Sequence, residues 1–397
     1  MATVTLTGDL EVDHAARAPA GFEWAGHQVA LQTSLAGLEA DWRALEAGGT
    51  VSLFQGWDYV SKWVRIAATA SGEEPVFAVG RRDGVISFIL PVAVTRLAGV
   101  KLLCWLGQSH SNYGMGLFAD EAFETASVWP VEGLVTEIAR RVGASIVHLD
   151  RQPTRWAGRD NPFATGSRTS VTANDTFVLA LEEDYDTQYR RLFSGRTVSG
   201  IKRKQRKLEK ECGADFAEPE ETEARRASMD WFFDEKRRQL SATGRSSPFE
   251  PKHVRDFYHA LAADDRAFVV DELASGTDRI AVAMSARHGR AEYLLNTVHA
   301  GGECAKYSPG LLLQHRIMAR AHAAGMRVYD FGPGAFSYKR DWEPDVVPLR
   351  ARTHLVNPVA LAHYLALTLG VAAKAAIKRN ERLSGLVDRL RMAMSRG

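Results

Sequence analysis

The sequence predicts an α/β protein that contains two copies of one folding unit. Runs rich in β-branched and aromatic residues alternate with segments in which apolar residues recur every three or four positions. The same order of elements also occurs twice: two helices, a β-hairpin, a strand, a helix and a strand. A duplicated α/β unit explains this order, and chance alternation of helices and hairpins is the alternative.

The composition is that of an ordinary globular protein. The 397 residues are 45% hydrophobic and 25% charged, which excludes a disordered chain and allows two or three domains. The net charge of +2 gives no chain-wide attraction to nucleic acid or anionic membranes. Cys104, Cys212 and Cys304 are odd in number and widely spaced, so they suggest neither a disulfide framework nor a zinc site. Because the acidic amino terminus is unlike a secretory signal, we expect a reducing, cytoplasmic environment.

The first copy follows a leader and occupies residues 27–181. Residues 1–26 mix Gly, Pro, Ala and charges without a period, which indicates a loosely ordered leader. Helices are predicted from residue 35 to the glycines at 48 and 49, and from residue 54 to residue 66. The remaining predicted elements are a hairpin (76–80 and 85–94, with an Asp-Gly turn), a strand (102–106), a helix (131–142) and a strand (146–149).

The second copy occupies residues 182–356 and begins where a strand at 177–181 is followed by a charged helix. Its predicted elements repeat the order of the first. They are helices at 222–240 and 251–263, a hairpin (268–273 and 280–287), a strand (293–298), a helix (310–324) and a strand (328–331).

Two segments concentrate positive charge. Residues 190–210 predict an amphipathic helix with Arg196, Arg203 and Lys207 near one face and Ile201 and Leu208 near another. This basic face is either simply solvated or binds an anion such as a lipid-linked sugar phosphate, a nucleotide sugar, tRNA or a cyclic dinucleotide. Arg203 and Lys207 are its candidate substrate-binding residues.

The second basic segment is the carboxy-terminal region, residues 357–397. An apolar run at 359–373 precedes a basic tail and is too short and interrupted to predict a membrane span. We expect a basic amphipathic helix that lies on an anionic membrane surface, with packing against the rest of the protein as the alternative.

The segment Ser308-Pro309-Gly310 precedes the last helix of the second copy. Ser308 is a candidate N-cap, and Pro309 occupies a position where its missing N–H has no consequence. Exposed N–H groups and the helix dipole at such a terminus can bind phosphate oxygens. The same residues are also an ordinary signal for a helix start.

Residues 325–342 contain the polar candidates Asp330, Tyr338 and Lys339 around a Gly-Pro-Gly turn. Side chains near strand ends in an α/β sheet face the ligand crevice. The alternative is that Asp330 caps a turn and Lys339 is a solvated charge.

Several ordered blocks resemble one known family. KYSPGLLL, AGMRVYDFGPG and YKRDW in the second copy, and FQGWDYVSKWV and SNYGMGLF in the first, are similar to CelD/BcsL-type acetyltransferases of the GNAT superfamily, which are related to FemAB-like transferases. The resemblance covers roughly residues 30–355. It implies tandem GNAT-like (acyl-CoA N-acyltransferase) domains with mixed central sheets, the donor site in the second, and acyl transfer as the activity.

The resemblance implies acetyl-CoA as co-substrate and no metal. It assigns the pyrophosphate to the backbone of a five-residue loop: Ser308, Pro309, Gly310, Leu311 and Leu312. The segment does not reproduce the common GNAT pattern Gln/Arg-x-x-Gly-x-Gly/Ala. The acyl donor therefore stays open, because FemAB-like relatives take an aminoacyl group from tRNA.

The expected mechanism is direct attack of an amine or hydroxyl on the thioester. Asp330 is the first candidate for general base and His299 the second. Tyr338 is the candidate donor to the leaving thiolate, and Lys339 the candidate partner of an anionic group or developing charge. Tyr113 and Trp57 are candidates for an aromatic platform under a sugar ring, although Trp57 is more typical of a core residue.

The sequence thus predicts acetyl transfer to an amino-sugar or related acceptor in the synthesis of a surface polysaccharide. The acceptor would be a small molecule or a lipid-linked sugar, and the protein would be cytoplasmic and peripheral to the inner membrane. Two alternatives stay open. One is an aminoacyltransferase that binds tRNA, and the other is a non-catalytic regulator that binds a nucleotide or a membrane partner.

Overall fold

The computed structural model describes residues 21–126, 129–263, 267–334 and 337–380. The strands of the first half are β1 (Phe22–Trp24), β2 (His27–Gln32), β3 (Gly49–Thr50), β4 (Glu74–Arg82), β5 (Val85–Leu97), β6 (Val100–Trp105), β7 (Leu117–Ala119), β8 (Ile146–Pro153), β9 (Arg155–Trp156), β10 (Arg159–Asp160) and β11 (Thr169–Ala180). Those of the second half are β12 (Asp215–Ala217), β13 (Phe268–Ser275), β14 (Asp278–His288), β15 (Ala291–His299), β16 (Val328–Pro333) and β17 (Asp345–Leu355).

The helices lie between these strands and after the last one. They are α1 (Glu39–Gly48), α2 (Trp57–Trp63), α3 (Asp120–Thr125), α4 (Val131–Arg141), α5 (Tyr185–Leu192), α6 (Gly195–Cys212), α7 (Thr222–Ser241), α8 (Lys252–Ala262), α9 (Pro309–Ala323), α10 (Ser337–Arg340) and α11 (Leu361–Arg379).

The predicted duplication is present in the structure. The first unit has α1, α2, the β4–β5 hairpin, β6, α4 and β8, and the second has α7, α8, the β13–β14 hairpin, β15, α9 and β16. The first hairpin turns at Asp83 and Gly84, both with positive φ, as the Asp-Gly pair predicts. The first unit also contains β7 and α3, which were not predicted.

One mixed sheet runs through both units in the described part of the chain. Its order is β1-β2-β4-β5-β6-β8-β17-β11-β16-β15-β14-β13-β12, and β7 pairs with β5 and β3. At the centre the two units exchange their last strands. β17 from the second half pairs with β8, with Thr353 opposite His148, and β11 from the first half pairs with β16, with Val178 opposite Asp330. Because β11 and β17 also pair with each other, the units share a continuous ladder.

Helices cover both faces of this sheet. On one face α1, α2, α7 and α8 form a single core that joins the units, in which Phe257 packs against Tyr59 and Trp63 with ring centroids 5.1 and 5.0 Å apart. On the other face α4 covers the first unit, and α9 with α5 and α6 covers the second. Alternate residues of β4 enter opposite cores, Phe77 on one side and Ala78 on the other, as expected for a strand buried on both faces.

Three expectations need correction. Part of the supposed leader is ordered, since Phe22–Trp24 pairs with β2, while residues 1–20 lie outside the described residues. The basic helix at 190–210 consists of two helices, α5 and α6. Cys212 and Cys304 form a disulfide, with Cα atoms 6.2 Å apart, which cysteine spacing alone did not indicate because the two residues are 92 positions apart in sequence.

The helix α11 lies against the central strands. Leu367 and Tyr364 pack on a small cluster with Leu102 and Ile146, while Leu361, Leu365 and Leu369 are exposed. In the described part of the chain, the segment Pro358–Lys378 is the one helix that is long and apolar enough to cross a membrane. Such a helix by itself is weak evidence for a membrane span, and here one side of it packs on the protein. The rest of the predicted basic tail, residues 381–397, lies outside the described residues.

The disulfide gives a direct test of the fold around α6. Purified without reductant, the protein should contain one free thiol, Cys104, and reduction should lower the free energy of unfolding by about 2–4 kcal/mol because the cross-link restricts the unfolded chain. Thiol titration and urea unfolding with and without reductant measure both effects. The double variant Cys212→Ser/Cys304→Ser is the control and should not respond to reductant. Three titratable thiols in the unreduced, unfolded protein would show that the bond is absent.

Candidate active site

A cleft opens in the second unit where two parallel strands separate. β15 and β16 pair only at Ala291–Val328, Glu292–Tyr329 and Tyr293–Asp330, while β15 continues to His299. The edge of β15 beyond Tyr293 therefore faces the opening instead of a neighbouring strand. This is the carboxyl end of parallel strands, where ligand sites in α/β sheets are found.

A loop of the first unit closes one side of this cleft. Gly332, at the end of β16, has φ +69°, and a Cβ there would lie 3.1 Å from Asn112 Nδ2 and 3.2 Å from the Leu294 carbonyl oxygen. Glycine thus permits both the left-handed backbone and the close approach of the loop. The cleft is consequently built from both units.

Asp330 lies at this junction and is 2% exposed. Its Oδ2 accepts a hydrogen bond of 2.6 Å from the Tyr113 hydroxyl, and its Oδ1 accepts one of 2.7 Å from the Gly332 backbone N–H. The Thr176 hydroxyl contacts Tyr113 and donates a longer bond to Asp330. Burial raises the pKa of Asp330 to about 6, although these hydrogen bonds and Lys339 act in the opposite direction. The carboxyl group can therefore change protonation near neutral pH.

Lys339 is placed next to Asp330 but is held by the backbone. Its Nζ donates to the Phe331 and Gly332 carbonyl oxygens, both at 2.9 Å, so it stabilises the end of β16. Burial lowers the pKa of Lys339 to about 8, and the charge of Asp330 raises it again. The expectation of a solvated charge is wrong for this residue, which is 2% exposed. Tyr338, its neighbour on α10, is partly buried, and burial raises the pKa of its phenol to about 12.

The amino terminus of α9 forms the other end of the cleft. Ser308 is the N-cap residue as expected, but it has left-handed φ and ψ of 59° and 56°, and its side chain caps no backbone N–H. Its hydroxyl instead accepts a hydrogen bond of 3.0 Å from Lys204 Nζ on α6. The Ser308 carbonyl accepts the N–H groups of Leu311 and Leu312, and Pro309 has none. Of the five predicted loop residues, Gly310 and Ser308 remain as donors toward a ligand.

The structure separates His299 from Asp330. The His299 ring lies beside the start of α9, 3.2 Å from the position of a Cβ on Gly310, and its Nδ1 is 3.1 Å from the Ala300 carbonyl oxygen. No hydrogen bond joins it to Asp330 among the described residues. It lies at the α9 end of the cleft.

The predicted aromatic platform is wrong. Trp57 is 3% exposed and packs edge-on against Trp42, with ring centroids 5.7 Å apart, so it belongs to the core. Tyr113, expected in an exposed loop, is fully buried and serves as the hydrogen-bond donor to Asp330. Loop composition could not show that this segment enters the junction between the units.

Arg203 and Lys207 are both exposed on α6, and the basic residue that reaches the cleft is Lys204. Lys204 is not among the predicted site residues, although its position carries a signal. Positions 201, 204 and 208 fall on one helical face, so Lys204 shares the face of Ile201 and Leu208 that packs on the second unit. Thr176 carried no such signal, because its role depends on strand exchange.

Comparison with known proteins agrees with this geometry. Residues 195–340 match the sequence model of the acetyltransferase (GNAT) domain family. The match contains α6, the β15–β16 cleft and the start of α9, and the first unit repeats the same architecture. The chain has a tandem GNAT fold.

Solved structures share this fold at low sequence identity. FemX has a TM-score of 0.57 and 10% identity, over 82% of this chain and 98% of FemX. A conserved protein of unknown function from Bacteroides thetaiotaomicron VPI-5482 has a TM-score of 0.51 and 9% identity, over 80% and 97%. L-PGS from Bacillus licheniformis has a TM-score of 0.50 and 11% identity, over 84% and 96%. No curated protein sequence matches the chain.

The protonation of Asp330 predicts a pH dependence of stability. Its pKa rises from the ordinary 3.8 to about 6 on folding, so the folded state binds the proton more tightly and this contribution weakens as pH rises through 6. The free energy of unfolding of the wild type, minus that of Asp330→Asn, should be about 1 kcal/mol larger at pH 5 than at pH 7. Urea unfolding at the two pH values measures this difference.

The exposed carboxylate variant Asp278→Asn is the control for this measurement and should keep the wild-type pH dependence. If the free energies of unfolding of the wild type and of Asp330→Asn change in parallel between pH 5 and 7, the raised pKa of Asp330 is contradicted.

Proposed function

We propose that the protein transfers an acetyl group from acetyl-CoA to an amino-sugar or related acceptor in the synthesis of a surface polysaccharide. The observation that carries the proposal is the contact of Lys204 with the start of α9, beside the open edge of β15 and inside the GNAT-matching segment. The site combines a cation (Lys204), a hydroxyl (Ser308) and the N-terminus of α9 at the mouth of the cleft. Such a combination is suited to the phosphates of an acyl-CoA.

The residues available at this terminus fit a pyrophosphate. Gly310 has a backbone N–H without a helical partner, Ser308 has a hydroxyl, and Lys204 supplies positive charge. Leu311 and Leu312 would contribute through the helix dipole, since their N–H groups already bond to Ser308. This set of hydrogen-bond donors differs from the common GNAT loop, in which backbone N–H groups bind the pyrophosphate. Here the side chain of a lysine from α6 takes the place of some of those N–H groups.

The chemistry assigned to the cleft is nucleophilic substitution at the thioester carbonyl. The acceptor amine forms the new C–N bond, the C–S bond breaks, and the amine proton passes to the protein. We assign Asp330 as the base, reached through the Tyr113 hydroxyl, because its pKa of about 6 leaves it ionised at neutral pH. Tyr338, whose phenol is protonated at neutral pH, is assigned to return a proton to the thiolate.

These assignments can be tested with the variants Asp330→Asn and Tyr338→Phe in an assay of CoA release. Asp330→Asn should abolish turnover while acetyl-CoA still binds, and Tyr338→Phe should lower turnover. If the Asp330→Asn protein is stable and turns over as the wild type does, Asp330 is not the base and its role is only to join the two units.

Aminoacyl transfer from tRNA is a second candidate, favoured by the exposed basic surface of α6. Six cations of this helix are exposed: Arg196, Lys202, Arg203, Arg206, Lys207 and Lys210. Such a row suits a nucleic-acid backbone. A non-catalytic regulator would bind a nucleotide or a membrane partner and show no acyl turnover with any acceptor.

We further propose that the protein is cytoplasmic, where the Cys212–Cys304 bond would be exposed to reduction, and that it associates with an anionic membrane surface through α11. Its exposed leucines, Leu361, Leu365 and Leu369, lie beyond the side of the helix that packs on the central strands, and Lys374 and Lys378 follow. This arrangement is typical of a helix that lies in the interface and contacts acidic lipids. The location suits an acceptor that is linked to lipid.

The donor assignment predicts the effect of one lysine. Lys204→Ala should weaken acetyl-CoA binding roughly tenfold, because it removes one charge-assisted contact to a phosphate. Calorimetric titration measures the dissociation constant, and thermal stabilisation by acetyl-CoA provides a second readout.

Lys202→Ala is the matched control, since Lys202 is an exposed lysine on the same helix, and it should bind acetyl-CoA as the wild type does. Equal binding by the Lys204 and Lys202 variants would refute the donor site. Salt-dependent tRNA binding without any response to acetyl-CoA would instead support aminoacyl transfer.

The membrane proposal predicts that Leu365→Asp/Leu369→Asp releases the protein from vesicles that contain acidic phospholipid. The two charges would have to enter the apolar layer, so flotation with the vesicles should fall several-fold. Val85→Asp/Val346→Asp changes two exposed apolar residues outside α11 and should float as the wild type does. Undiminished flotation of the α11 variant would exclude this helix as the attachment site.

A further inference from the structure

The first unit contains a cavity of about 580 Å³ that the proposed donor site does not use. It lies between β6 and β8, and its size falls within the range of small-molecule sites. β6 and β8 pair only at Leu102–Ile146 and Leu103–Val147, after which they separate. The cavity therefore occupies the position in the first unit that the β15–β16 cleft occupies in the second.

The correspondence extends to one side chain. In the second unit Asp330 on β16 bonds with Thr176 on the exchanged strand β11. In the first unit His148 on β8 lines the cavity and forms a 2.9 Å hydrogen bond with Thr353 on the exchanged strand β17. Both units thus hold a titratable group that bonds to a threonine of the exchanged strand: Asp330 at the last β15–β16 pair, and His148 one residue beyond the last β6–β8 pair.

The β15–β16 cleft and the β6–β8 cavity differ in the connection that follows their first strand, β15 in the second unit and β6 in the first. After β15 the chain leads to the start of α9, which supplies the anion site. After β6 it forms a loop, residues 107–114, which is attached at both ends: the Gly107 N–H donates to Glu73, and the Gly114 N–H donates to the Arg151 carbonyl oxygen. Because this loop contains only a short 3-10 turn, Gln108–His110, in place of an α-helix terminus, the cavity is unsuited to an acyl-CoA bound as in the second unit.

The lining of the cavity suits a hydroxyl-rich molecule with an apolar side. Ser71, Ser109, His148 and Asp150 contribute polar groups, and the Oδ2 atom of Asp150 makes no hydrogen bond within the described residues. Trp105 and several aliphatic side chains contribute apolar surface, and Thr95, Arg96 and Gln108 add further polar groups. Apolar walls with a few polar groups are typical of small-molecule sites.

Of the cations near α11, Arg151 lines the cavity, whereas Lys374 and Lys378 lie outside its lining. Leu367 of α11 lines the cavity, and Lys374 and Lys378 follow on the same helical face, seven and eleven positions later. Burial lowers the pKa of Lys378, and the nearby charges of Lys374, Arg245 and Arg151 lower it further. Arg151 itself lines the cavity and donates to the Gln108 and Ser111 carbonyl oxygens.

Neither Arg151 nor Lys378 forms a salt bridge within the part of the chain that the structure describes, although the pKa of Arg151, which burial lowers, is raised by the neighbouring Asp150 carboxylate. The hydrogen-bond partner of Lys378 is the neutral side-chain amide of Asn174. Cations gathered in this way repel one another, and an anion placed among them would relieve the repulsion.

We propose that the β6–β8 cavity binds a phosphorylated sugar, with the sugar against Asp150 and Trp105 and the phosphate near Arg151 and Lys378. The identification of this ligand as the acceptor rests on the proposed function, whereas the binding itself does not. The loop of residues 107–114 lines the cavity with Ser111 and Gly114, and it contacts the second unit with Asn112 and Tyr113. An occupant of the cavity is therefore one loop away from Asp330.

Calorimetric titration without any acyl donor tests the proposal. The probes are glucosamine 1-phosphate, UDP-N-acetylglucosamine, glucosamine and inorganic phosphate. At least one of the two phosphorylated sugars should bind saturably and more tightly than glucosamine or phosphate alone. Tighter binding of the UDP-linked sugar would identify a nucleotide-linked source, and tighter binding of the monophosphate a simple sugar phosphate.

Two variants locate the site. Ser109→Trp places a large side chain at the exposed edge of the cavity and should abolish binding, and Lys378→Ala should weaken it roughly tenfold. Lys202→Ala changes an exposed lysine of α6, which packs on the second unit; it is the matched control and should bind as the wild type does. Circular dichroism and thermal unfolding confirm that each variant is folded.

The outcomes separate this proposal from the proposed function. No saturable binding of either phosphorylated sugar, or binding unaffected by both Ser109→Trp and Lys378→Ala, would overturn the cavity assignment even if acetyl-CoA binds. Binding that is lost in Ser109→Trp would support the cavity assignment even if the protein proves not to bind acetyl-CoA.

Discussion

The antiparallel pairing of β11 with β17 is the constraint on which the rest of the structure depends. Each of these strands ends one half of the chain and pairs with the other half, so the two units share hydrogen bonds at the centre of one sheet. A backbone ladder of this length fixes register, since a shift by one residue would reverse which side chains face each core. The helices α2 and α8 then meet across the units, and their aromatic contacts close the shared core.

The candidate active site follows from this exchange. Asp330 lies on β16, Thr176 on the exchanged strand, and Tyr113 on a loop of the first unit, so no single unit contains the whole arrangement. Burying a carboxyl group among these partners raises its pKa despite three hydrogen bonds, which is the expected balance when desolvation exceeds hydrogen bonding. The same junction thus holds the units together and provides the titratable group.

The two units share one architecture but differ in the connection that follows one strand. In the second, a strand leads through a disulfide-linked turn into the start of α9, where Lys204 and Ser308 meet. In the first, the corresponding strand leads into a loop that Glu73 and Arg151 attach on both sides. This connection therefore leads to a helix terminus in the second unit and to a loop beside the β6–β8 cavity in the first.

Local pattern determined most of the elements. Apolar periodicity located the helices and strands of both units, the Asp-Gly pair located the hairpin turn, and their repeated order indicated the duplication. The block resemblance indicated the tandem GNAT fold and drew attention to Ser308 and Asp330. Local pattern could also have located Lys204, because a helical face is set by spacing alone.

Tertiary structure decided the features that depend on contacts between distant segments. Tyr113 is 217 residues from Asp330, and Cys212 is 92 residues from Cys304, so neither partner could be inferred from local composition. The exchange of β11 and β17 likewise depends on which edges meet, and alternation within a strand does not specify its neighbour. The sequence by itself therefore determined the elements and the repeated unit, because both depend on short-range spacing. Only the folded chain determined the burial of Tyr113 and Lys339, the shared cleft and the second cavity, because these depend on how the two units pack.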